Sequence, residues 1–294
     1  MTKALLLSWD WRPEVLVILI ALALVYGRGW LRLRRQARVE GRRTRWATGW
    51  RLVTYWLGLA SIGIALMSPI DVLSGQLFFL HMTQHLLLSM LAVPLLLIGD
   101  PFPVLIWGLP TQGQKAAARL LNDRSPWRRA LARITTPGIS WLVYVTVLIG
   151  WHDPTLYDLA LRNNLVHDIQ HLCFFFSTAL LWWHVLGCAP RLHRSLSIGQ
   201  RIVYTISVVP VNMIIGVVIA FAPQPIYPYY ANVPRITSLG VMQDQMIAGI
   251  LMWIPGSEMF FWAALLVLSH LVANEAKKPV QTNPAWLPTG DTRV

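Results

Sequence analysis

The apolar residues of this chain are grouped into seven stretches, each long enough to cross a membrane as a helix. A span needs about 20 mostly apolar residues, and its backbone groups must find hydrogen-bond partners within the span, as a helix allows. A transmembrane barrel would show apolar and polar residues alternating in segments of about ten residues, and this sequence lacks that pattern. The pattern therefore predicts an all-α, polytopic membrane helix bundle whose single domain covers residues 1–275. The predicted transmembrane helices are residues 14–31, 47–68, 77–98, 136–152, 164–187, 200–222 and 241–271.

Basic residues are concentrated in alternate connections, which predicts the orientation of the bundle. Of the 25 lysines and arginines, 21 follow the first, third, fifth or last stretch. The positive-inside rule then places the N-terminus outside and the C-terminus in the cytoplasm. The basic loops 31–46 and 111–135 are expected on the cytoplasmic face, and the second loop is expected to form an interfacial helix. Residues 276–294 are expected to form a flexible cytoplasmic tail.

The composition agrees with a membrane protein and excludes other classes. Hydrophobic residues make up 55% and charged residues 13% of the chain, against about 25% charged in a soluble domain. The net charge of +12 follows from the orientation and from contact with the lipid bilayer, so no nucleic acid partner is expected. The two cysteines, Cys173 and Cys188, exclude a disulfide scaffold and a multi-cysteine metal site. Because the arginine cluster follows the first apolar stretch, a cleaved signal peptide is not expected.

Five of the eight histidines fall near the outer ends of predicted spans. His81 and His85 begin the third span, His167 and His171 begin the fifth at the same spacing, and His152 ends the fourth. Side chains four residues apart share a helix face, about 5–6 Å apart at Cβ, so both imidazoles can reach one metal ion. The two pairs and His152 therefore predict a metal site on the outer side of the membrane.

Acidic and thioether side chains at the same level are further candidates. Asp244, at the outer start of the seventh span, is a candidate metal ligand, and Asp168 is placed to orient a ligand histidine. Thioethers beside imidazoles suit copper, which adds Met82, Met242 and Met246 as candidate donors. Helix capping and apolar packing are the competing interpretations for these five residues.

Glu258 lies deep in the seventh span, shortly after Pro255. A carboxyl group at that depth is expected to face the bundle interior or to be protonated. The competing interpretations are a proton relay and a buried, hydrogen-bonded glutamate.

Taken together, these motifs resemble those of the caa(3)-type CtaG family, over roughly residues 47–270. The resemblance begins at His81-Met82-x-Gln84-His85, Pro94 and Gly99-x-Pro101 and continues through Trp151-His152-x-Pro154-x-Leu156-Tyr157-Asp158 and the pair His167 and His171. It ends with Tyr227-Pro228-x-Tyr230, Pro234-Arg235, Asp244-Gln245-x-x-Ala248-Gly249 and Met252-Trp253-x-Pro255-Gly256. One departure is Gln170, where the family pattern has an acidic residue just before the second histidine.

The resemblance implies a role in the assembly of cytochrome c oxidase, with copper supplied to its dinuclear centre. It implies an assembly factor or metallochaperone rather than an enzyme, in the bacterial inner membrane. The implied partners are cytochrome c oxidase subunits and a periplasmic copper chaperone.

Other function classes stay open on the residues alone. Histidine and carboxylate ligands accept zinc or iron as well as copper, so a membrane metalloenzyme of di-iron or zinc type is an alternative, although an adjacent histidine pair and the HExxH motif are both missing. A b-type haem protein would pair His171 and His184 with a matching pair on a facing helix, and none has that spacing. A copper transporter needs donors along a path, but the cytoplasmic half offers only His184, Glu258 and scattered methionines.

Overall fold

The computed structural model describes residues 8–41, 44 and 46–275, and this part of the chain contains helices and connections but no strand. The long helices are labelled α1 to α7. Their bounds are Pro13–Val39 (α1), Gly49–Met67 (α2), Phe78–Ile98 (α3), Pro137–Trp151 (α4), Asn164–Leu186 (α5), Ile198–Phe221 (α6) and Val241–Glu275 (α7). Shorter helices at Pro69–Ser74, Pro101–Gly108, Thr111–Leu120, Pro126–Ile134, Pro154–Arg162 and Pro228–Asn232 connect them.

The prediction of an all-α, multi-pass membrane protein is confirmed. Within the described residues, six helices are long and apolar enough to cross a membrane. The fourth predicted span, α4, has only 15 residues, and it reaches the required length only together with Pro126–Ile134, from which it is bent by 57°. Pro137 at the start of α4 explains the break, because proline restricts the preceding residue to extended backbone. The predicted tail at 276–294 lies outside the described residues.

The basic segment 111–135 forms two short helices, Thr111–Leu120 and Pro126–Ile134, neither of which has a buried residue. Residues 121–125 separate them, and Pro126 begins the second helix, in agreement with proline's preference for the first turn of a helix. An amphipathic pair of this kind suits the interface of a membrane.

Helix α3 contains a π-helical turn at Leu87–Ala92, where the N–H of Val93 bonds to the carbonyl of Leu88, five residues earlier. Pro94 follows this turn and has no N–H to donate, so it disfavours the regular α-helical ladder there. The regular part of α3, Phe78–Leu86, carries His81 and His85.

Helices α6 and α7 cross in backbone contact. A Cβ atom at Gly216 would lie 2.7 Å from the backbone nitrogen of Trp253, and one at Gly249 would overlap the backbone of Ala220. Small residues permit such close crossings in membranes, where packing and interhelical hydrogen bonds drive helix association. The crossing fixes α7 against the bundle, and α7 in turn packs on the first part of α3.

Candidate metal centre

Three histidines from α3 and α5 meet inside the bundle. His81, His85 and His171 are each at most 5% exposed. One ring nitrogen of each lies within 4.8 Å of those of the other two. A metal with bonds of about 2.0–2.1 Å to histidine holds its ligand atoms about 3.4 Å apart in a tetrahedral site. The three rings, called here the histidine cluster, are therefore close to a ligating arrangement.

His167 lies at the outer edge of the histidine cluster. Its ring centroid is 4.2 Å from that of His171 and 4.9 Å from that of His81. The side chain is only partly buried, but its Nε2 is buried and has no hydrogen-bond partner. The predicted pairs on α3 and α5 thus face each other.

His152 is oriented by the helix that precedes it. Its Nδ1 lies 2.6 Å from the carbonyl oxygen of Leu148. A carbonyl can only accept a hydrogen bond, so Nδ1 carries the hydrogen and Nε2 of the neutral ring keeps its lone pair. This Nε2 is buried without a hydrogen-bond partner. It is therefore available as a metal ligand.

Tyr230 orients His81 in the same way. The Tyr230 hydroxyl donates a hydrogen bond of 2.9 Å to the carbonyl of Ser74 and lies 3.1 Å from Nδ1 of His81. Because its hydrogen is directed to Ser74, the hydroxyl accepts from Nδ1 of His81. Nε2 of His81 then holds a lone pair, and it too is buried without a partner. Metal-binding histidines are commonly held by such a bond to their second nitrogen.

The five histidines together present seven buried ring nitrogens without a hydrogen-bond partner. They are Nε2 of His81, His152 and His167, and both nitrogens of His85 and His171. A buried polar atom without a partner costs about 1–3 kcal/mol, so this concentration is expensive for an apo protein. The donor set fits a transition metal that accepts imidazole ligands.

Asp244 caps a helix and does not join the histidines. Its Oδ2 accepts from the N–H of Phe78 at 3.0 Å and from Arg235 at 3.0 Å, and its Oδ1 accepts from the N–H of Phe79 at 2.9 Å. A carboxylate is favourable at a helix N-terminus, where N–H groups lack helical partners. With both oxygens occupied by donors, Asp244 positions α3, and the interpretation as a supplementary ligand loses its support.

Asp168 pairs with the segment before α1. Both of its carboxylate oxygens lie 2.9 Å from Nη2 of Arg12. The two residues border a cavity of about 520 Å³ that we call the acidic vestibule, and His167 also lines it. Its carboxylates are those of Asp10, Glu14, Asp71 and Asp168. The vestibule therefore connects acidic groups with the outermost histidine.

Of the three methionines predicted as copper donors, two are partly exposed and only one is buried. Met242 and Met246 are 37% and 41% exposed on the surface of the bundle, whereas the histidine cluster is buried. Met82 is buried, with its sulfur 3.9 Å from the hydroxyl of Tyr157. It also lines a cavity of about 30 Å³ together with Met90 and Met252, neither of which was predicted as a metal donor. His85 and His152 complete the lining of this methionine cavity.

Glu258 is exposed on the outer surface of the bundle, so the expectation that it faces the interior is wrong. Gly256 and Phe260, two residues away on either side, are buried. Two residues correspond to about 200° around a helix, which places Glu258 on the opposite face. It does not contribute to the histidine cluster.

Gln170, which replaces the acid of the family pattern, is fully buried between the two histidines of α5. Its side-chain amide lies beside His81, and in the described part of the chain neither of its polar atoms makes a hydrogen bond of good geometry. A neutral amide is less costly here than a carboxylate would be.

Comparison with known proteins agrees with the sequence resemblance. A family model described as "Cytochrome c oxidase caa3 assembly factor" matches residues 24–274. Uncharacterized proteins of Mycobacterium bovis and Mycobacterium tuberculosis are each 25% identical over 247 residues, covering 80% of this chain and 35% of the relative. One of Mycobacterium leprae is 24% identical over 251 residues, covering 83% of this chain and 36% of the relative. The chain thus spans about a third of the length of these relatives. No solved structure matches it.

Proposed function

Because the chain belongs to the cytochrome c oxidase caa3 assembly factor family, we propose that it holds copper as cargo for the oxidase. The observation that carries this proposal is the histidine cluster, His81, His85 and His171, whose ring nitrogens lie within 4.8 Å of one another. His167 and His152 serve as supplementary ligands. Tyr230 and the carbonyl of Leu148 keep His81 and His152 in the tautomers that leave Nε2 free.

The methionine cavity favours copper over zinc or iron as the cargo. Met90 and Met252 are 7% and 3% exposed and line it together with His85 and His152. Thioether sulfur is a soft donor that suits Cu(I), while zinc and iron do not need it. In this proposal, the histidine cluster and the methionine cavity share His85, and copper is held by imidazole and thioether groups.

The acidic vestibule gives the cargo an access route. Its four carboxylates stand against a single cation, Arg12, and a negatively charged cleft raises the local concentration of cations. The positive-inside rule places this end of the bundle outside the cytoplasm. The protein would then lie in the bacterial inner membrane, receive copper from a periplasmic copper chaperone and pass it to oxidase subunits.

Metal analysis of the purified full chain tests this proposal. The wild type is expected to take up Cu(I), and the His81→Ala/His85→Ala variant is expected to take up none. The His193→Ala variant, which loses a histidine outside the cluster, is the matched control and should bind as the wild type does. Equal copper in the double variant and the wild type would refute the site.

A second pair of variants tests the choice of metal. Met90→Leu/Met252→Leu keeps the apolar volume but removes both sulfurs. We expect about tenfold weaker Cu(I) binding and unchanged Zn(II) binding, since only the soft donors are lost. If both metals bind as before, the methionines are packing residues and the preference for copper has no support from them.

A further inference from the structure

Two cavities at the opposite end of the bundle from the histidine cluster share one residue, Arg201. One lies between the end of α5 and the start of α6 and has a volume of about 230 Å³. The other is an apolar groove of about 520 Å³ along the outer surface of the bundle. We call them the basic cavity and the apolar groove.

The basic cavity carries positive charge and no carboxylate among its described lining residues. Its charged and titratable groups are Arg191, Arg194, Arg201, His184 and His193, with Cys188 beside them. Three guanidinium groups disfavour a metal cation and favour an oxyanion, which they can bind through several N–H donors.

Thr135 fixes both histidines of the basic cavity. Its hydroxyl donates to the carbonyl of Leu131 at 2.7 Å, so it accepts from Nε2 of His193, 3.1 Å away. Its carbonyl lies 2.9 Å from Nε2 of His184, which must also donate. Both rings are therefore held through Nε2, and hydrogen bonds fix this wall of the basic cavity.

Arg201 is also held in place. Its Nε and Nη1 donate to the carbonyls of Leu196 and Val185 at 3.1 and 3.3 Å. Its Nη2 lies 2.8 Å from the position that a Cβ at Gly187 would occupy, so a larger residue there would displace the guanidinium. Gly187 also has a φ of +63°, which favours glycine independently. The guanidinium thus stands fixed where the basic cavity and the apolar groove meet.

The apolar groove continues from Arg201 along the membrane-facing surface. Its walls include Trp182, Val185 and Leu186 of α5, Met259 and Trp262 of α7, and Ile98 at the end of α3. Arg201 is its only charged lining residue in the described part of the chain. An acyl chain matches this long apolar lining, whereas a free anion would occupy only the basic cavity and leave the groove empty.

We propose that this pair of cavities binds an anionic phospholipid, with the phosphate group in the basic cavity and an acyl chain in the apolar groove. Charge complementarity selects the headgroup, and the apolar lining selects the chain. The site lies where α5 ends and α6 begins, on the side to which the positive-inside rule assigns the cytoplasmic leaflet. Basic pockets between helices on that side suit acidic headgroups.

Native mass spectrometry of the purified full chain, with phosphatidylglycerol or phosphatidylcholine added, tests the proposal. The wild type is expected to retain one phosphatidylglycerol in preference to phosphatidylcholine. Arg191→Gln/Arg194→Gln should weaken this binding roughly thirtyfold, at about fivefold per arginine. Arg119→Gln/Arg133→Gln, which removes the same charge from exposed positions outside the cavity, should bind as the wild type does. Equal retention by the two double variants would overturn the proposal.

A third variant separates the lipid from a free anion. Ile98→Trp, at a position 38% exposed in the groove, should fill the groove and displace phosphatidylglycerol while leaving the basic cavity intact. Inorganic phosphate, added at increasing concentration, reports on that cavity alone. If phosphate binds the wild type and phosphatidylglycerol is retained equally by Ile98→Trp, the site takes a free anion and the lipid proposal is wrong.

Discussion

The hydroxyl of Tyr230 lies 3.1 Å from Nδ1 of His81 and connects this ring to the carbonyl of Ser74. The contact joins the short helix Pro228–Asn232 to α3 across 149 residues of sequence. It determines which nitrogen of His81 holds a lone pair, and that nitrogen, Nε2, is buried within the histidine cluster. Tyr230 is thus a positioning residue for the proposed metal ligand.

Tyr230→Phe is expected to weaken metal binding without removing any ligand. The substitution keeps the ring but takes away the acceptor of the His81 N–H, so the tautomer of His81 is no longer fixed. Loss of such a supporting bond typically costs 10- to 100-fold in metal affinity, and we expect about tenfold in a Cu(I) competition titration. Tyr229→Phe, whose hydroxyl has no hydrogen-bond partner in the described structure, is the matched control. Equal affinities of the two variants would contradict the assigned role of Tyr230.

Asp244→Asn is expected to reduce stability and to leave metal binding in place. The carboxylate accepts from two backbone N–H groups and from Arg235 while being 1% exposed. Removing one partner of a buried ion pair costs about 3–5 kcal/mol, and a lower midpoint of thermal unfolding in detergent would report it. The copper content per folded chain should equal that of the wild type. Normal stability with lost copper would instead make Asp244 a ligand.

The fold could be predicted from the sequence further than the site could. Long apolar stretches and the distribution of basic residues are properties of single segments, and they predict most helix ends within a few residues. The exception is α1, which continues to Val39, past its predicted end at residue 31 and into the predicted basic loop 31–46. The bend of 57° before α4 and the π-helical turn before Pro94 depend on backbone hydrogen bonding. Hydropathy does not report backbone hydrogen bonding, so neither feature could be located from it.

The histidine pairs could be found because their i, i+4 spacing is local, whereas their partners could not. Tyr230 approaches His81, and Arg12 approaches Asp168, across 149 and 156 residues of sequence. Glu258 is a candidate because a carboxyl group lies deep in a span, and Asp244 because it lies at the level of the histidines. A side chain's polarity does not reveal whether it faces the bundle interior or caps a neighbouring helix. In the structure, Glu258 faces outward and Asp244 caps α3.

Asp71 makes stability depend on pH. Burial raises the pKa of Asp71 to about 6, and its hydrogen bond from Gln84 opposes this shift. Between the ordinary pKa of about 4 and about 6, the folded state binds more protons than the unfolded state, so stability falls as pH rises through this window. Asp71→Asn should therefore raise the free energy of unfolding by about 3 kcal/mol at pH 7.5 and by little at pH 4.

Thermal unfolding at both pH values measures the Asp71 effect. Asp123→Asn, which removes a carboxylate that is 89% exposed, should shift neither midpoint. A gain from Asp71→Asn that is equal at both pH values would exclude protonation as its cause.

Gly249→Ala and Gly150→Ala are expected to change stability in opposite directions. A Cβ at Gly249 overlaps the backbone of Ala220 and forces α6 and α7 apart, whereas a Cβ at Gly150 in α4 meets nothing within 4 Å. Overpacking costs about 1–3 kcal/mol, while alanine in an open helical position gains about 0.5–1 kcal/mol over glycine. The midpoints of thermal unfolding in detergent measure the stability of the two variants. Equal midpoints would argue against a backbone contact at the crossing of α6 and α7.

Asp168→Asn is expected to slow metal loading without changing the amount of metal bound. Asp168 neutralises Arg12 through contacts of 2.9 Å from both carboxylate oxygens, so its loss leaves a free guanidinium in the acidic vestibule. A less negative cleft attracts cations more slowly, and the effect shrinks as salt screens it. Stopped-flow mixing with Cu(II) at low ionic strength should give a several-fold slower association. Glu40→Gln, an exposed carboxylate at the far end of α1, should load at the wild-type rate. Less metal bound at equilibrium, with an unchanged rate, would instead place Asp168 among the ligands and remove the access route from the proposal.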